Sequence, residues 1–224
     1  MSTEVVTFLG DVHGDLNALV SLLRKINGPV IQVGDLGIFT QEDADAVKLI
    51  SDHHPDFQAL RGNHDNPWLF DLPNLLGTWG PINERVFYIA GASSIDRQWR
   101  TPGLDWWPEE QLGLDELDQA VRDYTQHEPS IMVTHDAPEF LLSTLISFNT
   151  MSGSNAFAGV TDNSATRAAL NECYEVHQPD LWIFGHWHRH FQVTLSKTTF
   201  VCLPCIGMPN STYQIPLRTF EHGF

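Results

Sequence analysis

The chain opens on a continuous apolar run, Val5 to Leu9, which stops at Gly10-Asp11-Val12-His13-Gly14-Asp15. A run without polar alternation is expected of a strand covered on both faces. Leu16, Leu19, Val20, Leu22, Leu23 and Ile26 then recur at helical spacing, and Asn27-Gly28 marks a helix stop. A second strand, Pro29 to Val33, ends in Gly34-Asp35-Leu36-Gly37. Thr40 with Asp43 reads as a capping box opening a helix that runs to about His54. Asp56 to Leu60 reads as a third strand, entering Arg61-Gly62-Asn63-His64-Asp65, with Pro67 in the first turn of a short helix.

The second half repeats the pattern less regularly. Strands are expected at Val86–Ala90, Ser130–Thr134 and Asp180–Phe184, with a hairpin of Phe191–Leu195 and Thr199–Leu203 around Ser196-Lys197. Helices are expected at Leu114–Gln126 and Ala165–His177, the latter turning Leu170 and Val176 inward. Residues 147–164 are rich in Ser, Gly, Asn and Thr and read as a long mobile loop, a lid candidate. The tail from Pro209 carries no clear signal. Strand, polar loop and helix in repetition predict an α/β fold with parallel strands and one domain over residues 1–224.

Composition narrows the class. The 224 residues suffice for one large core, and 42% hydrophobic with 18% charged residues fits an ordinary globular protein. No apolar run approaches the roughly 20 residues of a membrane helix. The start, Met1-Ser2-Thr3-Glu4, lacks a basic signal-peptide region, and the low, odd cysteine count suits a reducing compartment, so the expected location is cytoplasmic. A net charge of −16 without a Lys/Arg cluster argues against duplex nucleic acid as a partner, and the sequence leaves the oligomeric state open. Cys202-Leu203-Pro204-Cys205 has redox-dithiol spacing but sits at a strand end instead of before a helix, so both thiols are read as structural.

The strand ends bear the chemistry. Asp11, His13, Asp35, Asn63, His64, His135, His186 and His188 all fall there, and polar groups in such a row are poor core material. Carboxylates mixed with imidazoles suit manganese, iron, zinc or nickel, and the ligands are too many for one ion. One carboxylate bridging two ions about 3.5–4 Å apart uses them all. The loop after Val86–Ala90 adds Arg97, Arg100, Trp99, Trp106 and Trp107, a candidate stacking and anion-binding wall.

The ordered series Asp11-x-His13, Gly34-Asp35, Gly62-Asn63-His64-Asp65, His135 and Gly185-His186-x-His188 resembles the calcineurin-like metallophosphoesterase superfamily. The resemblance implies a two-sheet β-sandwich flanked by helices, a four-layer α/β/β/α arrangement. It assigns Asp11, His13, Asp35 and His188 to one ion, and Asp35, Asn63, His135 and His186 to the other. The implied cofactor is two divalent transition-metal ions, manganese first, with iron, zinc or nickel as alternatives. The implied activity is phosphomonoester hydrolysis, with a metal-bridging hydroxide attacking phosphorus in line and His64 as general acid, its ring oriented by Asp65. Arg61 is then a candidate for bidentate phosphate contact, and Arg97 or Arg100 for the same task.

Gly10-Asp11-Val12-His13-Gly14 and Arg61-Gly62-Asn63-His64 resemble the serine/threonine phosphatase branch in particular. That branch follows its second aspartate with Asp-Arg-Gly; here Asp35 precedes Leu36-Gly37-Ile38-Phe39, so the chain reads as a divergent member. A phosphodiesterase acting on cyclic or small nucleotide diesters is the alternative activity. A catalytically silent metal-binding scaffold is the alternative from another class. Nuclease action is disfavoured by the acidic balance.

Overall fold

The computed structural model describes residues 5–151 and 164–222, with side chains of 148–151 and 222 left aside. Two sheets carry the fold. The first, of four strands, has the order β10-β1-β2-β3, with β1 Val5–Leu9, β2 Val30–Gln32, β3 Phe57–Ala59 and β10 Thr212–Pro216. β1, β2 and β3 run parallel, and β10 runs antiparallel to β1. The second sheet, of six strands, has the order β4-β5-β6-β7-β9-β8. Its strands are β4 Trp79–Pro81, β5 Val86–Ile89, β6 Ile131–Thr134, β7 Leu181–Phe184, β8 Phe191–Leu195 and β9 Thr198–Cys202. β5, β6, β7 and β9 are parallel, and β4 and β8 are antiparallel edges.

Alternation along the strands builds three apolar layers. Val6, Phe8, Ile31 and Val33 face Val86, Tyr88, Ile131, Val133, Leu181, Ile183 and Val201 between the sheets. The neighbouring residues Phe87, Met132, Trp182, Phe184 and Phe200 face outward to α3 Leu114–His127 and α5 Ala165–Val176. Leu9, Val30, Phe57 and Ala59 face α1 Leu16–Leu23 and α2 Gln41–His53. Both faces of both sheets are therefore covered, which is why the strands read as unbroken apolar runs. The expected two-sheet sandwich between helical layers is the architecture observed.

Local signals place the helices. Thr40 caps α2, accepting from the Asp43 amide while Asp43 returns the bond to the Thr40 amide, a complete capping box. Asp15 caps α1 through the Ala18 amide. Three expectations need correction. Val176 is 53% exposed. Six residues at about 100° each set it roughly 120° around the helix from Leu170, off the buried face, which continues through Thr166, Ala169 and Cys173. The loop expected from residue 147 is preceded by helix α4 Leu142–Met151, which runs into it; residues 152–163 lie outside the described residues. The uninformative tail holds β10 and α6 Leu217–His222, and β4 was likewise unmarked in the sequence. Among the described residues no helix is long and apolar enough to cross a membrane.

Candidate metal centre

Parallel strands deliver their carboxyl ends to one edge, and ligands bind at such edges. The loops after β1, β2 and β3 bring Asp11, His13, Asp35, Asn63 and His64 from the first sheet. The loops after β6 and β7 bring His135, His186 and His188 from the second. Asp11 ties the two sheets together, since both its oxygens accept from the His186 amide at 3.2 Å.

The ligand atoms fall into three overlapping groups, each with its atoms within 4.8 Å of one another. Asp11, His13, His188 and Cys205 form the first, Asp35, His135 and His186 the second, and His13, Asp35 and His64 the third. His188 Nε2 lies 3.1 Å from Asp11 Oδ2 and 2.9 Å from His13 Nε2. Asp35 stands between the groups. Its Oδ1 is 3.2 Å from His135 Nε2, and its Oδ2 is 3.8 Å from His13 Nε2. Asn63 Oδ1 joins the second group, 3.2 Å from His135 Nε2. His135 Nδ1 lies 2.9 Å from the Val33 carbonyl, an acceptor that fixes the proton on Nδ1 and leaves Nε2 free to ligate.

Two observations fit this donor set to divalent cations. Asp35 Oδ2 and His186 Nε2 are buried without a hydrogen-bond partner, a costly state that a cation relieves. The field also demands positive charge. Burial pushes the His13, His135 and His188 rings down, yet Asp11 with Cys205 at His13 and His188, and Asp35 at His135, overcome it and hold them up at about 11, 9 and 10. Burial pushes the Asp11 and Asp35 carboxyls up, and the surrounding imidazoles bring both below the usual carboxylate range.

The backbone is shaped for this approach. Among the described residues, seven non-glycine positions have positive φ, and His13, Asp35, His186 and His188 are four of them. Strain concentrated on ligand positions is typical of sites that the surrounding fold over-determines. At Gly62 an added Cβ would lie 2.8 Å from His135 Nε2 and closer still to Asp35; at Gly185 it would meet Asp11 Oδ1.

His64 and Arg100 line the entrance. A cleft of about 230 Å³ is bounded by Asp35, Asn63, His64, Ile95, Asp96, Arg100, His186 and His188. A larger cavity of about 710 Å³ is lined by residues such as Arg61, Trp68, Phe70 and Leu114 and by none of the ligands, so the smaller cleft is the site. Arg100 hydrogen-bonds the His64 ring and is itself held by Asp96, Nε to Oδ1 at 2.7 Å. Burial, Arg100 and His13 push His64 down to about 4 against the pull of Asp35.

Several expected roles change. Asp65 does not orient His64. Its carboxylate accepts from the amides of Leu36 at 3.2 Å, Gly37 at 2.7 Å, Ile38 at 3.1 Å and Gly62 at 2.8 Å, and so locks the Asp35 loop to the Asn63 loop. Arg61 does not reach the cleft; its guanidinium donates to the Glu109 carbonyl. Arg97 is exposed and outside the cleft, whereas Arg100 lines it. Of the tryptophan wall, Trp107 is buried against Phe39, with ring centroids 5.9 Å apart, and Trp99 is 82% exposed. The structural reading of Cys202 holds, since it is fully buried at the end of β9.

Sequence reasoning missed three residues. Ser94 accepts from Asn63 Nδ2 at 3.0 Å and donates to Glu110 Oε2 at 2.5 Å, which orients the Asn63 oxygen toward His135. Cys205 stands beside His13 and His188.

Comparison with known proteins accords with this geometry. Among curated proteins no sequence matches the chain significantly. Among solved structures, the fold is similar to a phosphopantetheinyl hydrolase from Mycobacterium tuberculosis, with 11% identity and a TM-score of 0.54 over 95% of this chain and 96% of that one. It is also similar to a putative 5′-nucleotidase from Staphylococcus aureus, with 15% identity and a TM-score of 0.52 over 91% of this chain and 49% of that one. At such identities the likeness speaks to the fold alone. Residues 5–190 match the calcineurin-like phosphoesterase family, a range that takes in β1 to β7 and the strand-end residues Asp11 to His188; the chain belongs to that family and is a metal-dependent phosphoesterase.

Proposed function

We propose that the protein hydrolyses small phosphomonoesters at a dinuclear metal centre bridged by Asp35. The observation that carries this reading is the buried Asp35 carboxylate, which falls in two donor groups, one with His135 and His186 and one with His13 and His64, while Asp35 Oδ2 and His186 Nε2 both lack a partner. Asp11, His13, Asp35 and His188 would hold one divalent ion; Asp35, Asn63, His135 and His186 would hold the other. When bound, manganese, iron, zinc or nickel would activate water and offset charge on the phosphoryl oxygens.

The chain's own groups do the rest. Arg100, fixed by Asp96, would bind a non-bridging oxygen, the task Asp-Arg-Gly performs in the serine/threonine phosphatase branch. His64 would hydrogen-bond the leaving oxygen and protonate it. A phosphoester entering beside His64 brings negative charge, which raises the proton affinity of a ring otherwise pushed down to about 4. Asp65 would keep both ligand loops in register. A panel of mono- and diesters with Mn, Zn, Ni and Mg, run on the wild type and on Asp35→Asn and His64→Ala, tests the proposal. Monoester turnover that depends on metal and falls in both variants supports it. Equal diester turnover, or full activity in Asp35→Asn, refutes it.

A further inference from the structure

Among the described residues, Cys205 is the one soft donor grouped with the ligands. Its Sγ belongs to a set, completed by one atom each from Asp11, His13 and His188, whose members all lie within 4.8 Å of one another. The position is built by the backbone. β9 ends at Cys202, Leu203 N donates to the Phe184 carbonyl at 2.8 Å, and Ile206 N donates to the Asp11 carbonyl at 2.7 Å. Met208 N closes a turn onto the Cys205 carbonyl at 3.1 Å. The Pro204 carbonyl lies so close to Gly10 that a Cβ there would overlap it. The segment carrying Cys205 is thus clamped to the segment carrying Asp11 on both sides. Cys202, at the redox spacing, is turned the other way, with Sγ 3.5 Å from the Gly185 carbonyl.

A second observation marks the same place as a ligand site. Asp35 Oδ2, fully buried and without a hydrogen-bond partner, lies 3.8 Å from His13 Nε2. A cation drawn to that oxygen and to His13 meets the Cys205 sulfur among its neighbours.

We propose that Cys205 is a direct thiolate ligand of the ion held by Asp11, His13, Asp35 and His188. The proposal rests on the dinuclear reading above and changes what that centre takes up. A thiolate among imidazoles and carboxylates favours zinc or ferrous iron over manganese and magnesium. The other position, built from Asp35, Asn63, His135 and His186, holds only nitrogen and oxygen donors and keeps no such preference. The two positions are therefore unlike: the first selects a softer ion, and the second does not. Binding releases the thiol proton to solvent as the sulfur–metal bond forms, with no change of oxidation state.

Cobalt(II) reports the bond directly. The full chain, stripped with a chelator, is titrated anaerobically with cobalt while absorption is followed. The wild type is expected to develop a near-ultraviolet sulfur-to-cobalt charge-transfer band together with visible d–d bands. Cys205→Ser is expected to keep the d–d bands, lose the charge-transfer band, and hold zinc at one position at least about tenfold more weakly, the lower end of what loss of even an outer partner costs. Saturating d–d bands without charge transfer in the wild type overturn the thiolate and leave the dinuclear centre standing. A band that persists in Cys205→Ser and disappears in Cys202→Ser assigns it to the wrong cysteine and overturns the proposal. Absence of any cobalt binding overturns the metal centre and the cysteine ligand together.

Discussion

Gly62→Ala is the sharpest test of how this centre is built. Gly62 is not in the left-handed region, so alanine meets no backbone penalty of its own. The added methyl would lie 2.8 Å from His135 Nε2 and nearer still to Asp35 Oδ1 and the Asp35 amide. Carbon contacts are comfortable at about 3.5–4.0 Å, so the Asp35 side of the contact must open by more than about an ångström. The Asp35 amide cannot swing aside, because it is backbone at φ 59° in a loop pinned by Asp65. Gly62 itself is held through its amide to Asp65 Oδ2 at 2.8 Å. Overpacking of this kind costs about 1–3 kcal/mol. At roughly 2–4 °C per kcal/mol for a chain of this size, Tm should fall by about 2–12 °C. The functional loss should be larger, because displacing Asp35 would remove the ligand proposed to be shared by both positions. Elemental analysis of metal-replete protein, a thermal melt and p-nitrophenyl phosphate turnover measure the three quantities. Gly77→Ala is the control, since its methyl meets only the Tyr88 hydroxyl at 3.4 Å. A Gly62→Ala protein with wild-type metal content and turnover would refute the placement of Asp35 as the bridge.

Four further outcomes are expected. His64→Ala should retain both metals and lose about 10²–10⁴-fold in kcat, read by metal analysis beside steady-state kinetics. Arg100→Ala should raise KM for phosphomonoesters about tenfold to a hundredfold, the value of a charged hydrogen bond of about 1.5–3 kcal/mol, and Arg97→Ala should leave KM unchanged. Ser94→Ala strands Asn63 Nδ2 and removes the hydroxyl from Glu110 Oε2 in a buried site, so denaturant unfolding should register a loss of about 1–3 kcal/mol and dialysis a faster loss of metal. Thr40→Ala removes the α2 capping box and should lower stability by about 1 kcal/mol at undiminished turnover.

The central strands were legible because both of their faces are covered, which removes polar residues and leaves runs such as Val5–Leu9 and Leu181–Phe184. The edge strands were not. β4 is three half-exposed or exposed residues around a glycine, and β10 alternates only partly, so neither differs in pattern from loop. Candidate ligands were legible where a glycine and a polar group interrupt an apolar run at its carboxyl end. Their partners were not, because nothing local marks them. Ser94 is 31 residues from Asn63 in the chain, and Cys205 is nearer in sequence to Cys202 than to any ligand. Asp65 and Arg61 show the converse limit. Adjacency to His64 suggested an orienting part for Asp65, and adjacency to Gly62 a phosphate contact for Arg61, yet successive side chains in an extended turn point apart, and both bind backbone instead.

The positive φ angles at His13, Asp35, His186 and His188 complete the physical case for a preformed centre. Each left-handed non-glycine residue costs of order 1 kcal/mol, and four such costs persist only where the surroundings enforce them. The enforcing bonds are visible. Val12 and His13 donate to the Asp35 carbonyl at 2.9 Å, Gly14 donates to the Leu36 carbonyl at 3.0 Å, and Gly185 donates to the His135 carbonyl at 3.1 Å. These bonds link ligand loop to ligand loop across neighbouring strands, without passing through a side chain that a cation would claim. The ligand geometry therefore belongs to the backbone lattice of the two sheets. Metal binding should quench the unpaired Asp35 and His186 atoms and leave the strand ends where they stand, an expectation that amide hydrogen exchange in β1, β2, β6 and β7 with and without metal can check.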